Sequence, residues 1–283
     1  MMKLKSVLAA WSFSLFFSFC FAQTIEQTKT KADSLLTAGL YQQADVLYDR
    51  MIFFADSTQQ LQALEQGAVC KAALNKFAEA AQYYKLASKL VSADSLYYNL
   101  LLQQALCLVM DEQFETAQKI LTEILLFEPN EYYKQKSFLL KGIIETQQLN
   151  FLTAKIYFDS SAHLVHTNDS ILLYDLLNKN YKTVSFNPNA ASFYSAVLPG
   201  LGQSVHGDFK NGINSFVINA ALITAFVYTG MQYNFISSFL FFSVYWPRFY
   251  IGGIAGSKDI ANHKLKAIQK EYLRNYLKVY LKY

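Results

Sequence analysis

Four aromatic–alanine pairs, Tyr41/Ala44, Phe77/Ala80, Phe114/Ala117 and Phe151/Ala154, recur at intervals of 36, 37 and 37 residues. Twelve residues before each alanine stands another small residue: Ala32, Ala68, Ala105 and Gly142. Four residues after each stands a large apolar one: Tyr48, Tyr84, Leu121 and Phe158. Few folds tolerate such a register. The small residues let two helices approach closely, and the large residue one turn further on fills the space beside them. One helical hairpin cannot bury its apolar face alone, so neighbouring hairpins must stack. The fold class is therefore all-α, with breaks near Gly39, Asn75, Asp111 and Leu149 and a closing helix over 170–184.

This pattern resembles the tetratricopeptide repeat, whose period is about 34 residues. The resemblance covers about half the chain and implies a helical-repeat solenoid of four units over 23–184. Pro129 falls where the family ends its unit, in the third unit alone. The resemblance also implies a concave wall that binds polypeptides. The family's wall positions correspond to Glu26, Lys29 and Asp33, then Gln62, Glu65 and Val69. In the third unit they are Asn99, Leu102, Leu106, Val109 and Met110, and in the fourth Lys136, Leu139, Ile143 and Thr146. The wall turns apolar along the stack, so Leu102, Leu106, Val109, Met110, Leu139 and Ile143 form the candidate partner groove. Either a protein or peptide partner occupies it or another part of the chain covers it.

Compartment is read from the ends. Residues 1–22 combine Lys3 and Lys5 with an apolar run from Val7 to Phe21 and a cleavable Ala22–Gln23 junction, the pattern of a secretory signal peptide. Phe19 is too bulky for a lipidated Cys20. Charged residues make up 16% of the 283 positions, against about 25% in soluble proteins. The deficit points to lipid. A net charge of +4 does not argue for nucleic acid. Cys70 and Cys107 occupy equivalent positions in successive units. Stacked equivalents lie about 8–10 Å apart, beyond disulfide reach, so free thiols are expected. His163 and His166 have metal-ligand spacing but no neighbouring third ligand, and no metal or other cofactor is expected.

The segment 185–192, with Asn187-Pro188-Asn189, reads as a linker to a membrane domain over 193–256. Ile213–Gly230 is 18 residues without charge, and Phe235–Gly256 is 22 residues with Arg248 as its one charge. Both approach the roughly 20 apolar residues of a bilayer span. With four residues between them they form a transmembrane hairpin. Asn214 and Asn219 should face protein, and Gly252/Gly256 offer a close-contact pair. Arg248 either snorkels to headgroups or belongs to a polar site. The tail 257–283 carries seven Lys or Arg against two acids and reads as a basic amphipathic helix. It suits anionic lipid, or else it packs on the repeats.

The glycines at 200, 202, 207 and 212 raise the possibility of a phosphate loop. Pro199 spoils the strand that a dinucleotide fingerprint needs, and no Gly-Lys-Ser/Thr follows. They break an interfacial or re-entrant segment, 193–207, and let it pack on the hairpin. Pro199, Gly200, Leu201, Gly202 and Gln203 resemble the Pro-Gly-x-Gly-Gln entry of a small membrane domain of bacterial proteins. Gly207 and Arg248 complete the candidate residues of this membrane domain. The resemblance implies a bacterial envelope protein, with its repeats in the periplasm and its hairpin in the inner membrane. A non-catalytic scaffold is expected. The second reading is a membrane-embedded assembly, insertion or lipid-handling factor with a polar site at Gln203, His206, Asp208 and Arg248.

Overall fold

The computed structural model describes residues 24–54, 56–92, 94–128, 130–162, 165, 167–183 and 187–283. The expected signal peptide, Pro129 and the His163/His166 pair lie outside them. Thirteen helices and no strand occur among the described residues. They fall into two compact units, one ending at Ser137 and one beginning at Phe138.

The first unit holds α1 (Ile25–Thr37), α2 (Tyr41–Phe54), α3 (Ser57–Ala73), α4 (Phe77–Ser88), α5 (Ser95–Met110) and α6 (Phe114–Phe127), each packed on the next. α7 (Glu131–Gln147) contains the unit boundary. The first helix of each of the first three hairpins starts at a side-chain cap. Thr24 accepts from the Gln27 amide, Asp56 from Gln59, and Asp94 from Leu96 and Tyr97. Each cap satisfies backbone donors that the helix start leaves free.

The hairpin turns are the same turn four times. Gly39, Asn75, Glu112 and Leu149 have positive φ, at 74°, 60°, 59° and 66°. After each, the next amide donates five residues back: Leu40 to Leu35, Lys76 to Lys71, Gln113 to Leu108, Asn150 to Glu145. This is the left-handed helix stop that favours glycine, and only the first turn has one. The third turn falls at Glu112, one residue beyond the expected Asp111.

The register packs as the spacing requires. Ala32, Ala44, Ala68, Ala80, Ala105, Ala117 and Ala154 are fully buried, and so, or nearly so, are Tyr48, Tyr84, Leu121 and Phe158. At Gly142 a Cβ would lie 2.5 Å from the Phe158 ring, so only glycine admits that side chain.

Most of the expected apolar wall positions are covered. Leu102, Val109, Leu139 and Ile143 are buried, while Leu106 and Met110 are half-buried. The reason is that α5 buries residues on every side, from Leu100, Leu101 and Leu102 to Cys107, Leu108 and Val109. Such a helix is a core element without a solvent-facing apolar stripe. Cys70 and Cys107 are free and buried. Burial pushes their thiols up to about 11 and about 12, which keeps them protonated and unreactive at neutral pH.

One buried charge ties three helices together. Lys71 on α3 lies 3.1 Å from Asp45 and 3.6 Å from Asp49 on α2, 3.3 Å from Glu79 on α4, and 4.6 Å from the Tyr83 ring centroid. Burial alone would depress the lysine. The Asp45 hydrogen bond and the surrounding charges outweigh it and hold the ammonium above its usual range.

The second unit contains α8 (Phe151–Ser160), α9 (Thr167–Thr183), α10 (Pro188–Val197), α11 (Leu201–Val205), α12 (Phe209–Gln232) and α13 (Phe235–Tyr280). Helix α10 begins inside the expected linker, with Asn187 as cap and Pro188 in the first turn, where its missing amide costs nothing. α12 is the one described helix long and apolar enough to cross a membrane by length and composition, and 11% of its apolar window is buried. The expected second arm is part of α13, a 46-residue helix about 70 Å long at about 1.5 Å per residue. The basic tail continues that helix, and its apolar residues Leu273, Tyr276, Leu277, Val279 and Tyr280 are buried. Tyr276 stacks on Phe158, Gln269 donates to the Gln147 carbonyl, and Lys282 pairs with Asp169. Its apolar face is therefore packed on protein, in line with the second of the two readings of the tail.

Two stability outcomes follow from these contacts. Glu112→Gly, at an exposed position, relieves the left-handed strain and raises stability by about 0.5–1 kcal/mol in denaturant titration of the full chain. Lys71→Met leaves Asp45 buried without its cation and lowers stability by about 3–5 kcal/mol. Adding Asp45→Leu recovers much of that loss, because no uncompensated charge is then buried.

Candidate functional site

The glycine stretch builds a tight corner. Helix α10 ends at Leu198, Pro199 precedes Gly200, and Gly200 adopts φ +86°. A Cβ on Gly200 would collide with the Gly212 carbonyl, and one on Gly202 with the Ala191 carbonyl. One on Gly212 would collide with the Ser204 hydroxyl. Gly207, at φ +83°, turns the chain between α11 and α12. Three backbone segments thus touch with no side chain between them. Serines fasten the corner: Ser195 Oγ accepts from the Gly202 amide at 3.1 Å, and Ser257 donates to the Ala191 carbonyl at 3.1 Å. Neither serine stood out in the sequence. A small polar residue at helical spacing from a glycine is the available signal.

Around this corner, Gln203, Ser215, Asn219, Arg248 and Gly253 line a cavity of about 280 Å³. Gln203 is 6% exposed and its Nε2 donates to the Gly253 carbonyl at 3.2 Å. Asn219 is 1% exposed and its Nδ2 donates to the Ser215 carbonyl at 2.8 Å. These bonds set which end of each amide is oxygen. Gln203 Oε1 and Asn219 Oδ1 are then left buried without a hydrogen-bond partner. Arg248 is exposed and forms no ion pair among the described residues.

Of the four residues expected to converge, Gln203 and Arg248 line this cavity and the other two serve the corner. His206 Nδ1 lies 2.7 Å from the Gly202 carbonyl, and Asp208 caps α12 by accepting from the Asn211 amide. Asn219 faces protein as expected, whereas Asn214 is exposed. The Gly252/Gly256 pair does not make the close contact. A Cβ on Gly252 would meet nothing within 4 Å, while one on Gly253 would lie 2.8 Å from Ser215 Oγ.

A second concavity of about 480 Å³ lies in the first unit. Four wall positions of the first two hairpins line it, Lys29, Asp33, Gln62 and Glu65, with Tyr48 and Met51 beside them. Tyr48 donates to Asp33 Oδ1 at 2.6 Å, and burial raises the Glu65 carboxyl above its usual range. It is the polar end of the expected wall positions that lines this concavity. Comparison of the chain with protein-family models, with curated proteins and with solved structures finds no match. No group of three potential metal ligands occurs among the described residues.

The glycine corner makes a graded test. Gly202→Ala drives a methyl group into the Ala191 carbonyl and lowers the melting temperature in detergent, at a cost of about 3 kcal/mol. Gly252→Ala, facing open space, leaves it unchanged.

Proposed function

We propose that this chain is a membrane-anchored, non-catalytic protein-interaction scaffold of the bacterial cell envelope. Its α1–α8 hairpins act as tetratricopeptide-like repeats facing the periplasm, and α12 with the first half of α13 forms the hairpin that holds them to the inner membrane. The observation that carries the reading is the open concavity at Lys29, Asp33, Gln62 and Glu65. These are wall positions of two successive hairpins, where repeat proteins of this kind hold a polypeptide. Charges of both signs suit a polar partner segment in place of the apolar helix that a leucine wall would have held.

Membrane attachment is supported by the surface of the two long helices. Phe216, Val217, Ile223 and Val227 on α12 and Phe239, Leu240, Phe241 and Val244 on α13 are exposed. An apolar surface of this extent is unfavourable in water and natural in lipid. Tyr245, Trp246 and Tyr250 follow on α13, with Trp246 stacked on Tyr250. Such residues prefer the headgroup level. The second arm is thereby less apolar than α12, and Arg248 lies among its interfacial aromatics.

Alkaline carbonate extraction of membranes should leave the full-length chain in the pellet. A photo-crosslinker at Gln62 should then capture a protein partner, and one at Gln82, exposed on α4, should not. Capture at Gln62 should be lost on Lys29→Glu with Glu65→Lys. Equal capture at both positions would count against the concavity as the binding site.

A further inference from the structure

We propose that the cavity between α11, α12 and α13 is a phospholipid-headgroup site. Its ligand is a phosphodiester whose head carries hydrogen-bond donors, with the phosphate on Arg248 and the donors on Gln203 Oε1 and Asn219 Oδ1. The inference rests on the membrane reading of α12 and α13 given above.

Three observations carry it. Two residues that line one cavity, Gln203 and Asn219, each more than nine-tenths buried, carry a carbonyl-type oxygen without a partner. A buried acceptor left unsatisfied costs about 1–3 kcal/mol, and more where lipid replaces water. Two in one cavity mark a place built to receive donors. Both amide nitrogens are already engaged with backbone carbonyls, so rotating the amides does not remove the requirement. The third feature is Arg248, at the rim of the same cavity with no carboxylate beside it. A guanidinium presents a planar fork that suits phosphate oxygens.

Depth agrees with this assignment. Arg248 sits between Trp246 and Tyr250 on α13, residues that mark the headgroup level. The long Arg248 stem can carry its guanidinium from within the arm toward the lipid phosphates, and the cavity reaches Asn219 on α12. A volume of about 280 Å³ is near the lower limit of ligand pockets, about 300 Å³. It takes a headgroup and leaves the acyl chains against the exposed apolar faces outside. Two glycines of α13 leave this side open, since Gly253 and Gly256 present no side chain toward Ser215 and Gln203. An ammonium head and a glycerol head both supply donors. A choline head supplies none, and this difference gives the site a recognisable selectivity.

The test uses the full-length protein in neutral detergent with added phosphatidylethanolamine, phosphatidylglycerol or phosphatidylcholine, read by native mass spectrometry. The wild type should retain the first two over phosphatidylcholine by about fivefold or more, the worth of one to two hydrogen bonds. Asn219→Leu, close in volume, should collapse that preference. Arg248→Gln, at an exposed position that folding does not depend on, should lower retention of all three lipids. Equal retention of the three by the wild type, or unchanged retention in Arg248→Gln, would overturn the proposal. Displacement of bound lipid by inorganic phosphate would overturn the lipid assignment in favour of a soluble ligand. A chain released by alkaline carbonate fails the membrane reading as well. A carbonate-resistant chain without headgroup preference fails the cavity alone.

Discussion

At Gly142 the ring of Phe158 occupies the volume that any side chain would need, and at Gly200 the carbonyl of Gly212 does the same. Direct approach of one chain segment to another, across a glycine or a buried alanine, is the contact on which the hairpins and the glycine corner depend. In the hairpins it lets an aromatic or leucine lie flat against the facing helix and excludes water from the interface. In the glycine corner it brings backbone to backbone, which no larger residue permits. Packing at this distance is unforgiving, because protein interiors are close-packed and a single methylene is felt. The positions that allow it are therefore spaced with a regularity that the rest of the chain lacks.

The hairpins and the glycine corner use the device differently. In the hairpins, close approach is repeated. The buried charge of Lys71 is compensated there, by three carboxylates and the face of Tyr83. Between α11, α12 and α13 close approach happens once, and polar atoms are left over. Gln203 and Asn219 give their nitrogens to backbone carbonyls and keep their oxygens unpartnered beside a cavity. A packing device that only stabilised this unit would have had apolar residues there. The polar choice costs stability, and the proposed headgroup site is a reason to keep it.

Much of this was legible in sequence. The aromatic–alanine register located four hairpins, and their turns fall at Gly39, Asn75, Glu112 and Leu149. The glycines of 200–212 were readable as a packing corner because Pro199 and the following apolar helix excluded a phosphate loop. That Asn219 faces protein was expected from the cost of an amide in lipid, but the same expectation failed at Asn214, which is exposed. Less legible was everything set by what lies opposite. Leu139 and Ile143 occupy wall positions by register, yet both are buried. Wall and core leucines differ only in what covers them, and a repeat register does not encode the cover. The basic tail had an amphipathic pattern that fits a membrane surface or a protein surface equally well. Phe158 and Asp169 supply the protein surface.

By itself the sequence determined the helical class, the hairpin period, the positions that had to be small, and the apolar length of α12. These are local or periodic properties, and backbone geometry with side-chain size is enough to set them. Tertiary structure decided which end of the repeat wall stays open, that Gly253 and not Gly252 makes the close contact, and that Gln203, Asn219 and Arg248 share one cavity. Those outcomes depend on the rotation of one helix about its axis against another. A turn of one residue moves a side chain by about 100°, and the match between two facing surfaces chooses the angle.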